Sequence, residues 1–135
     1  MLNIEDIKLL IVHCSDTPDI EDIGASEIHQ MHLNFGWDGI GYHKVIRRSG
    51  QIENGRPECW IGAHTKGKNN ISLGVCLIGQ NSFTDQQFDS LEKLLFKWKE
   101  KYKGAIILGH KDAINTKKTC PNFDVHSWCL QRKLI

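Results

Sequence analysis

The 135-residue sequence has no low-complexity tract and no long hydrophobic run. The first apolar run stops at His13, and the residues before it include two acids and no basic cluster. Neither a membrane span nor a signal peptide is therefore predicted, and we expect a protein made in the cytoplasm. The length favours one domain over residues 1–135, because a chain of this size buries roughly two thirds of its unfolded surface.

The chain also lacks a large net charge, because its formal charge at pH 7 is only +1. A nucleic-acid partner is not predicted, because binding phosphates requires Lys and Arg gathered on one face. The five cysteines are an odd number and include no C-x-x-C pair, which argues against a disulfide scaffold and favours a reducing compartment. We expect a monomer without a membrane partner.

Alternating strand-like and helix-like patterns predict an α/β domain. Three apolar runs of strand length predict buried strands at Lys8–His13, Ser72–Gly79 and Ala105–Leu108. The second run is apolar on both faces, which predicts a central strand covered by helices on both sides. A hairpin is predicted around Ser49-Gly50, where glycine supplies the positive φ of the turn.

Three helices are predicted from their caps and apolar spacing. Ser26 is interpreted as the N-cap of the first helix, and Thr84 with Gln87 forms a capping box for the second. Asp124 caps a short helix at the end of the chain.

The stretch from Gly109 to Asp124 resembles half of a zinc site. The His110 imidazole and the Cys120 thiolate are both good zinc ligands, and the ten-residue loop between them leaves room for the two to meet. A catalytic zinc needs a third protein ligand and leaves its fourth position to water. We interpret His13 as that ligand, because it ends a strand-like run just as His110 follows one.

Seven stretches, taken in order, resemble the zinc-dependent N-acetylmuramoyl-L-alanine amidases of the type-2 family, and most closely the short phage lysozymes. They span nearly the whole chain. The stretches are Val12-His13-Cys14-Ser15, Gly36-Trp37 with Gly41-Tyr42-His43, Gly55-Arg56, Gly62-Ala63-His64-Thr65-Lys66-Gly67, Ser72-Leu73-Gly74-Val75, Gly109-His110-Lys111-Asp112 and Lys118-Thr119-Cys120-Pro121.

The resemblance implies one zinc ion per chain, bound by His13, His110 and Cys120, with Tyr42 and Lys118 assisting the chemistry. It also implies a mixed central sheet flanked by helices on both faces, as in peptidoglycan recognition proteins. The implied reaction is hydrolysis of the amide between N-acetylmuramic acid and L-alanine in peptidoglycan. The implied setting is a phage or prophage endolysin that reaches the bacterial wall through a membrane pore.

Roles for these side chains follow from their chemistry. The Lys118 ammonium suits a developing oxyanion, and the Tyr42 phenol suits positioning better than proton abstraction, because its ordinary pKa is about 10. His64 is interpreted as binding substrate or relaying a proton, or else as a structural loop histidine. Trp37 and Arg56 are interpreted as groove residues for sugar and peptide carboxylates, or else as structural.

Two other classes of protein remain open. A binding or regulatory module on the same fold would recognise wall fragments or a protein without hydrolysis. A cysteine peptidase would pair Cys14 or Cys120 with a histidine, although Cys14 and His13 are neighbours in a strand and point to opposite faces.

Overall fold

The computed structural model describes all 135 residues, in five strands, four α-helices and two single 3-10 turns. The turns are Ile4–Asp6 and Asn69–Ile71. In chain order the other elements are β1 (Leu9–Cys14), α1 (Ala25–Asn34), β2 (Lys44–Ile46), β3 (Ile52–Asn54), β4 (Ser72–Leu77), α2 (Asp85–Lys101), β5 (Ile106–Gly109), α3 (His110–Ala113) and α4 (Val125–Gln131).

The five strands form one mixed sheet in the order β3-β2-β4-β1-β5. β2 pairs antiparallel with β3 across the predicted hairpin, in which Gly50 has a φ of 91°. The pairs β2–β4, β4–β1 and β1–β5 are parallel. β4 is the central strand and every one of its residues is buried, which confirms the prediction from its apolar sequence.

Side chains that alternate along the strands build two hydrophobic clusters, one on each face of the sheet. The larger cluster contains Leu10 and Val12 of β1 together with the apolar sides of α2 and α4. The smaller one contains Val45 and Cys76 from the sheet and Ile28 of α1. The helices therefore cover both faces of the sheet, and the predicted α/β architecture is confirmed.

The predicted N-cap of α1 is wrong. The helix begins at Ala25 after the N-cap residue Gly24, and Ser26 lies inside its first turn. The free amides are satisfied by carboxylates, because Glu27 accepts from the Gly24 N–H at 2.7 Å and Glu53 of β3 accepts from the Ala25 N–H at 2.8 Å. A partner 28 residues away in sequence outweighed the local capping preference of serine.

The prediction that Ala105–Leu108 forms a fully buried strand is also wrong in part. β5 is an edge strand, and only the face that carries Ile107 packs into a hydrophobic cluster. Ile107 is buried whereas Ile106 is 58% exposed. The helices include none that is long and apolar enough to cross a membrane.

Candidate metal centre

The parallel pairing of β1 with β5 brings His13 and His110 together. Val12 pairs with Gly109 in the register of the two strands, so the next residue of each chain segment lies at the same edge of the sheet. The two imidazole rings are 4.5 Å apart between centroids. The carboxyl edge of parallel strands is where α/β folds place their sites.

Cys120 approaches the same point from the loop that follows α3. The Cys14 N–H donates to the Cys120 sulfur at 3.1 Å, and the Lys111 N–H donates to the Cys120 carbonyl at 3.0 Å. One ligand atom each from His13, His110 and Cys120 then lies within 4.8 Å of the others. The structure thus brings together the three residues predicted as metal ligands.

The electrostatics of this cluster favour neutral imidazoles. Burial and the neighbouring imidazoles of His64 and His110 hold the pKa of His13 well below its ordinary value. Burial, followed by the Lys118 ammonium, lowers the pKa of His110. A neutral imidazole has a free lone pair, which is the form that binds a metal ion.

A hydrogen bond with the Cys14 side chain raises the pKa of Cys120, and burial of the thiol raises it further. In the protein alone its sulfur therefore retains a proton, and a metal ion that binds there must displace it.

Tyr42 stands beside the three residues, with its ring centroid 5.1 Å from that of His13. Burial and the nearby thiols of Cys76 and Cys120 raise the pKa of Tyr42 well above its ordinary value. The phenol consequently keeps its proton at neutral pH and can donate a hydrogen bond.

These residues line a cavity of about 720 Å³. Lys118 is exposed on its wall, and its ammonium makes no hydrogen bond or salt bridge within the protein. Trp37 also lines the cavity and is 44% exposed, with its ring 4.6 Å from that of His32. Both predicted residues thus face the space beside the three candidate ligands.

His64 lines the same cavity but is largely enclosed by the protein. It is 9% exposed, and its Nδ1 is 2.9 Å from Nε2 of His13. Burial and then the neighbouring charge of His43 lower the pKa of His64 to about 3, so the ring is neutral. His64 borders the cavity as predicted, and the contact with substrate stays a prediction beside the structural alternative, which its enclosure favours.

Arg56 is not among the residues that line the cavity. Its guanidinium donates to the carbonyls of Ile40 and Ile61, both at 2.7 Å. Because these bonds tie together the two loop segments that flank the site, the geometry favours the structural alternative for Arg56.

Sequence reasoning missed three residues that hold His64 in place. The Asn69 side chain accepts from the backbone N–H groups of His64 and Thr65, both at 2.9 Å. The hydroxyls of Thr65 and Ser72 lie 3.0 Å and 3.4 Å from the His64 ring. Thr65 and Asn69 fall within a loop with little periodicity, and Ser72 begins a strand whose pattern indicates burial but not a partner, so nothing in the local sequence indicated these contacts.

Comparison with known proteins identifies the family. The family model described as N-acetylmuramoyl-L-alanine amidase matches residues 3–123. The endolysin of Klebsiella phage KP32 is 38% identical over 139 aligned positions, which cover 97% of this chain and 91% of the relative.

Solved structures agree with this match. The N-acetylmuramoyl-L-alanine amidase LysC from Clostridium intestinale URNW superposes with a TM-score of 0.84 at 29% identity, over 98% of this chain and 90% of that one. Bumblebee PGRP-SA superposes with a TM-score of 0.81 at 26% identity, over 96% and 83% of the two chains. The resemblance seen in the sequence is therefore confirmed, and this chain belongs to the N-acetylmuramoyl-L-alanine amidase family.

Proposed function

We propose that this protein is a zinc-dependent amidase that hydrolyses the bond between N-acetylmuramic acid and L-alanine in peptidoglycan, as a phage or prophage endolysin. The observation that carries the proposal is the convergence of His13, His110 and Cys120 within 4.8 Å at the floor of an open cavity. Membership of the amidase family and the similarity to a phage endolysin support the same reaction.

The donor set fits zinc. Two imidazole nitrogens and one thiolate are ligands that zinc accepts, and a zinc ion held by three protein ligands would keep one position for water or substrate. When bound there, zinc supplies a Lewis acid that polarises the amide carbonyl and lowers the pKa of a coordinated water to about 7.

Lys118 and Tyr42 contribute charge and hydrogen bonding at the cavity wall. The Lys118 ammonium has no partner in the protein, so it remains available to the oxygen that gains negative charge in the transition state. The protonated Tyr42 hydroxyl donates a hydrogen bond and orients the reacting groups. Neither residue acts as the general base in this proposal.

Trp37 provides an exposed aromatic surface at the mouth of the cavity, suited to the apolar face of a sugar ring. The substrate is a glycan strand that carries a stem peptide, and the site of action is the bacterial cell wall. Passage through a membrane pore and the monomeric state stay predictions.

The test compares three proteins by zinc content and by release of peptides from purified peptidoglycan. We expect the wild type to hold one equivalent of zinc and to liberate new L-alanine amino termini. Cys120→Ser should lose most of both properties, because a hydroxyl is a poor zinc ligand at neutral pH. Cys59→Ser is the matched control, since Cys59 is an exposed thiol outside the cavity.

The outcomes separate the competing functions. Zinc binding without hydrolysis on several peptidoglycan types would favour a binding module. Hydrolysis that survives both chelation and Cys120→Ser would favour a mechanism without zinc.

A further inference from the structure

A short chain of hydrogen bonds runs from the candidate metal centre into the protein through His64. Nε2 of His13 is 2.9 Å from Nδ1 of His64, and Nε2 of His64 is 3.4 Å from the Ser72 hydroxyl. The Ser72 hydroxyl in turn lies 2.7 Å from the Lys68 carbonyl. Both nitrogens of the His64 ring are therefore engaged inside the protein, which leaves none for a substrate.

The last acceptor favours one direction for the bonds in this chain. A carbonyl oxygen can only accept, so Ser72 uses its single proton on Lys68, and the 2.7 Å distance marks the stronger of its two contacts. The Ser72 oxygen then accepts from Nε2–H of His64. Nδ1 of His64 carries the lone pair and accepts from Nε2–H of His13.

Thr65 lies beside the same bond, with its hydroxyl oxygen also 3.0 Å from Nδ1 of His64. Its hydroxyl oxygen lies 3.2 Å from Nε2 of His13, on the side where His64 also receives the bond. Nδ1 of His13 makes no hydrogen bond with the protein. The tautomer with its proton on Nε2 consequently has a bare Nδ1.

The His64 ring fits into the fold because two neighbouring positions are glycines, which have no side chain. A Cβ on Gly74 of the central strand would lie 2.6 Å from the ring, and a Cβ on Gly62 would lie 2.7 Å from it. The His43 ring closes a further side, with its centroid 5.7 Å from that of His64. The ring thus occupies a slot that two glycines make possible.

We propose that His64 is a positioning residue that holds the proton of His13 on Nε2 and thereby assigns Nδ1 of His13 to the metal ion. The inference rests on the proposed metalloamidase function for the identity of the metal. It replaces the roles of substrate contact and proton relay with orientation of a ligand. Partners of this kind around metal-binding histidines change metal affinity about 10–100-fold when they are removed.

The test uses two variants of nearly equal shape, His64→Asn and His64→Leu. Asparagine keeps an acceptor near the position of Nδ1, whereas leucine fills similar space without one. We expect His64→Leu to weaken zinc binding about 10–100-fold in competition with a chelator, and His64→Asn to stay within a few-fold of the wild type. Ser72→Ala, at the far end of the chain, should have a smaller effect in the same direction.

A second readout reports the tautomer without any metal or activity. Long-range ¹H–¹⁵N correlation of the imidazole rings in the metal-free wild type should show His13 protonated on Nε2 alone. In His64→Leu the same ring should become a mixture of tautomers. A purely structural role would alter neither this spectrum nor the difference between Asn and Leu.

Several results would overturn the inference. These are a His13 proton on Nδ1 in the wild type, equal zinc affinities for folded His64→Leu and wild type, or equal losses in the Asn and Leu variants. If His64→Leu fails to fold, the wild-type spectrum and His64→Asn still decide. Zinc binding without hydrolysis would refute only the proposed function, and a wild type that binds no zinc would refute both.

Discussion

At the scale of single residues, Lys118 and Tyr42 differ in how the protein treats them. Lys118 is exposed and unpaired on the cavity wall, whereas Tyr42 is half-buried beside His13. An ammonium stabilises negative charge by its own charge and a phenol by a hydrogen bond, and each can be removed without touching a candidate ligand.

Lys118→Met should reduce turnover far more than zinc binding. The substitution removes the ammonium but keeps an apolar stem of similar length, so the three candidate ligands stay in place. We expect kcat to fall about 10²–10³-fold, the usual effect of losing one group that stabilises an oxyanion. The check is kcat on soluble peptidoglycan fragments together with zinc content, and a variant that loses zinc in proportion to activity would contradict this role.

Tyr42→Phe should also retain zinc and lose turnover, by about 10–10³-fold, because only the donated hydrogen bond is removed. Burial raises the pKa of Tyr42 well above its ordinary value, so deprotonation of the phenol should add no limb to the pH profile below pH 10. Profiles of kcat/KM for wild type and variant should therefore keep the same shape. A basic limb present in the wild type and absent in Tyr42→Phe would show that the tyrosine titrates during catalysis.

The sequence indicated some of these residues but not others. His13 and His110 each end or follow an apolar strand, and Cys120 precedes a proline, so order and residue type were informative. The positioning of His64 depends on contacts with Ser72, eight residues away, and with His13, 51 residues away. No local sequence pattern predicts contacts between residues so far apart in the chain.

At the scale of elements, β4 combines a strand sequence with a glycine that a strand does not favour. Gly74 lies in the middle of this central strand, where replacing glycine by alanine usually stabilises by about 0.5–1 kcal/mol. A Cβ here would instead meet three atoms of the His64 ring at 2.6 to 2.8 Å. The glycine is therefore explained by the ring packed on it rather than by a turn.

Gly74→Ala should destabilise the fold by about 1–3 kcal/mol, the usual cost of overpacking, and should weaken zinc binding as the His64 ring is displaced. Urea unfolding and zinc titration measure the two effects. Gly104→Ala is the control, since Gly104 has a φ of +87° and no atoms within 4 Å of the added Cβ. It should lose stability through backbone strain alone and keep its zinc affinity, and a parallel loss of zinc in both variants would contradict the packing argument.

Elements with strong local patterns were predicted correctly. The apolar run of β4 and the capping box of Thr84 with Gln87 at α2 are both present. The errors concern features set by distant partners. Glu53 moves the start of α1 to Ala25, and the position of β5 at the edge of the sheet exposes Ile106.

Over the whole molecule, Glu58 connects the loop between β3 and β4 to the C-terminal end of α2. Its carboxylate accepts from the Tyr102 hydroxyl at 2.6 Å and lies 3.5 Å from the Lys101 ammonium. Burial opposes its ionisation, but the hydrogen bond from Tyr102 and the charges of Lys101 and Lys44 outweigh burial and lower the pKa of Glu58. The folded state thus prefers the ionised carboxylate.

Glu58→Gln should reduce the free energy of unfolding at pH 7 by about 1 kcal/mol, a figure already discounted for partial exposure. Because the folded pKa lies below the unfolded value of about 4.3, this stability is complete above that pH and is lost as the pH falls through the folded pKa. Urea unfolding at pH 7 and pH 3 should show a larger difference between wild type and variant at pH 7 than at pH 3. An equal difference at both values would contradict the linkage.

The α/β architecture could be predicted from the sequence. Two hydrophobic clusters on opposite faces of a sheet require apolar strands and amphipathic helices, and both kinds of element have clear sequence patterns. The shape of the cavity could not be predicted, since most of its lining residues lie in loops without periodicity. We propose that all 135 residues unfold as one domain, as their length suggested.

We propose that zinc held by His13, His110 and Cys120 is required for cleavage of the muramoyl–alanine amide. The most direct measurement is the release of amino termini from purified peptidoglycan by native, chelator-stripped and zinc-restored protein. We expect new alanine amino termini with the native protein, none after stripping, and recovery with one equivalent of zinc. Full hydrolysis by protein shown to contain no metal, or the release of amino termini other than alanine, would contradict the account.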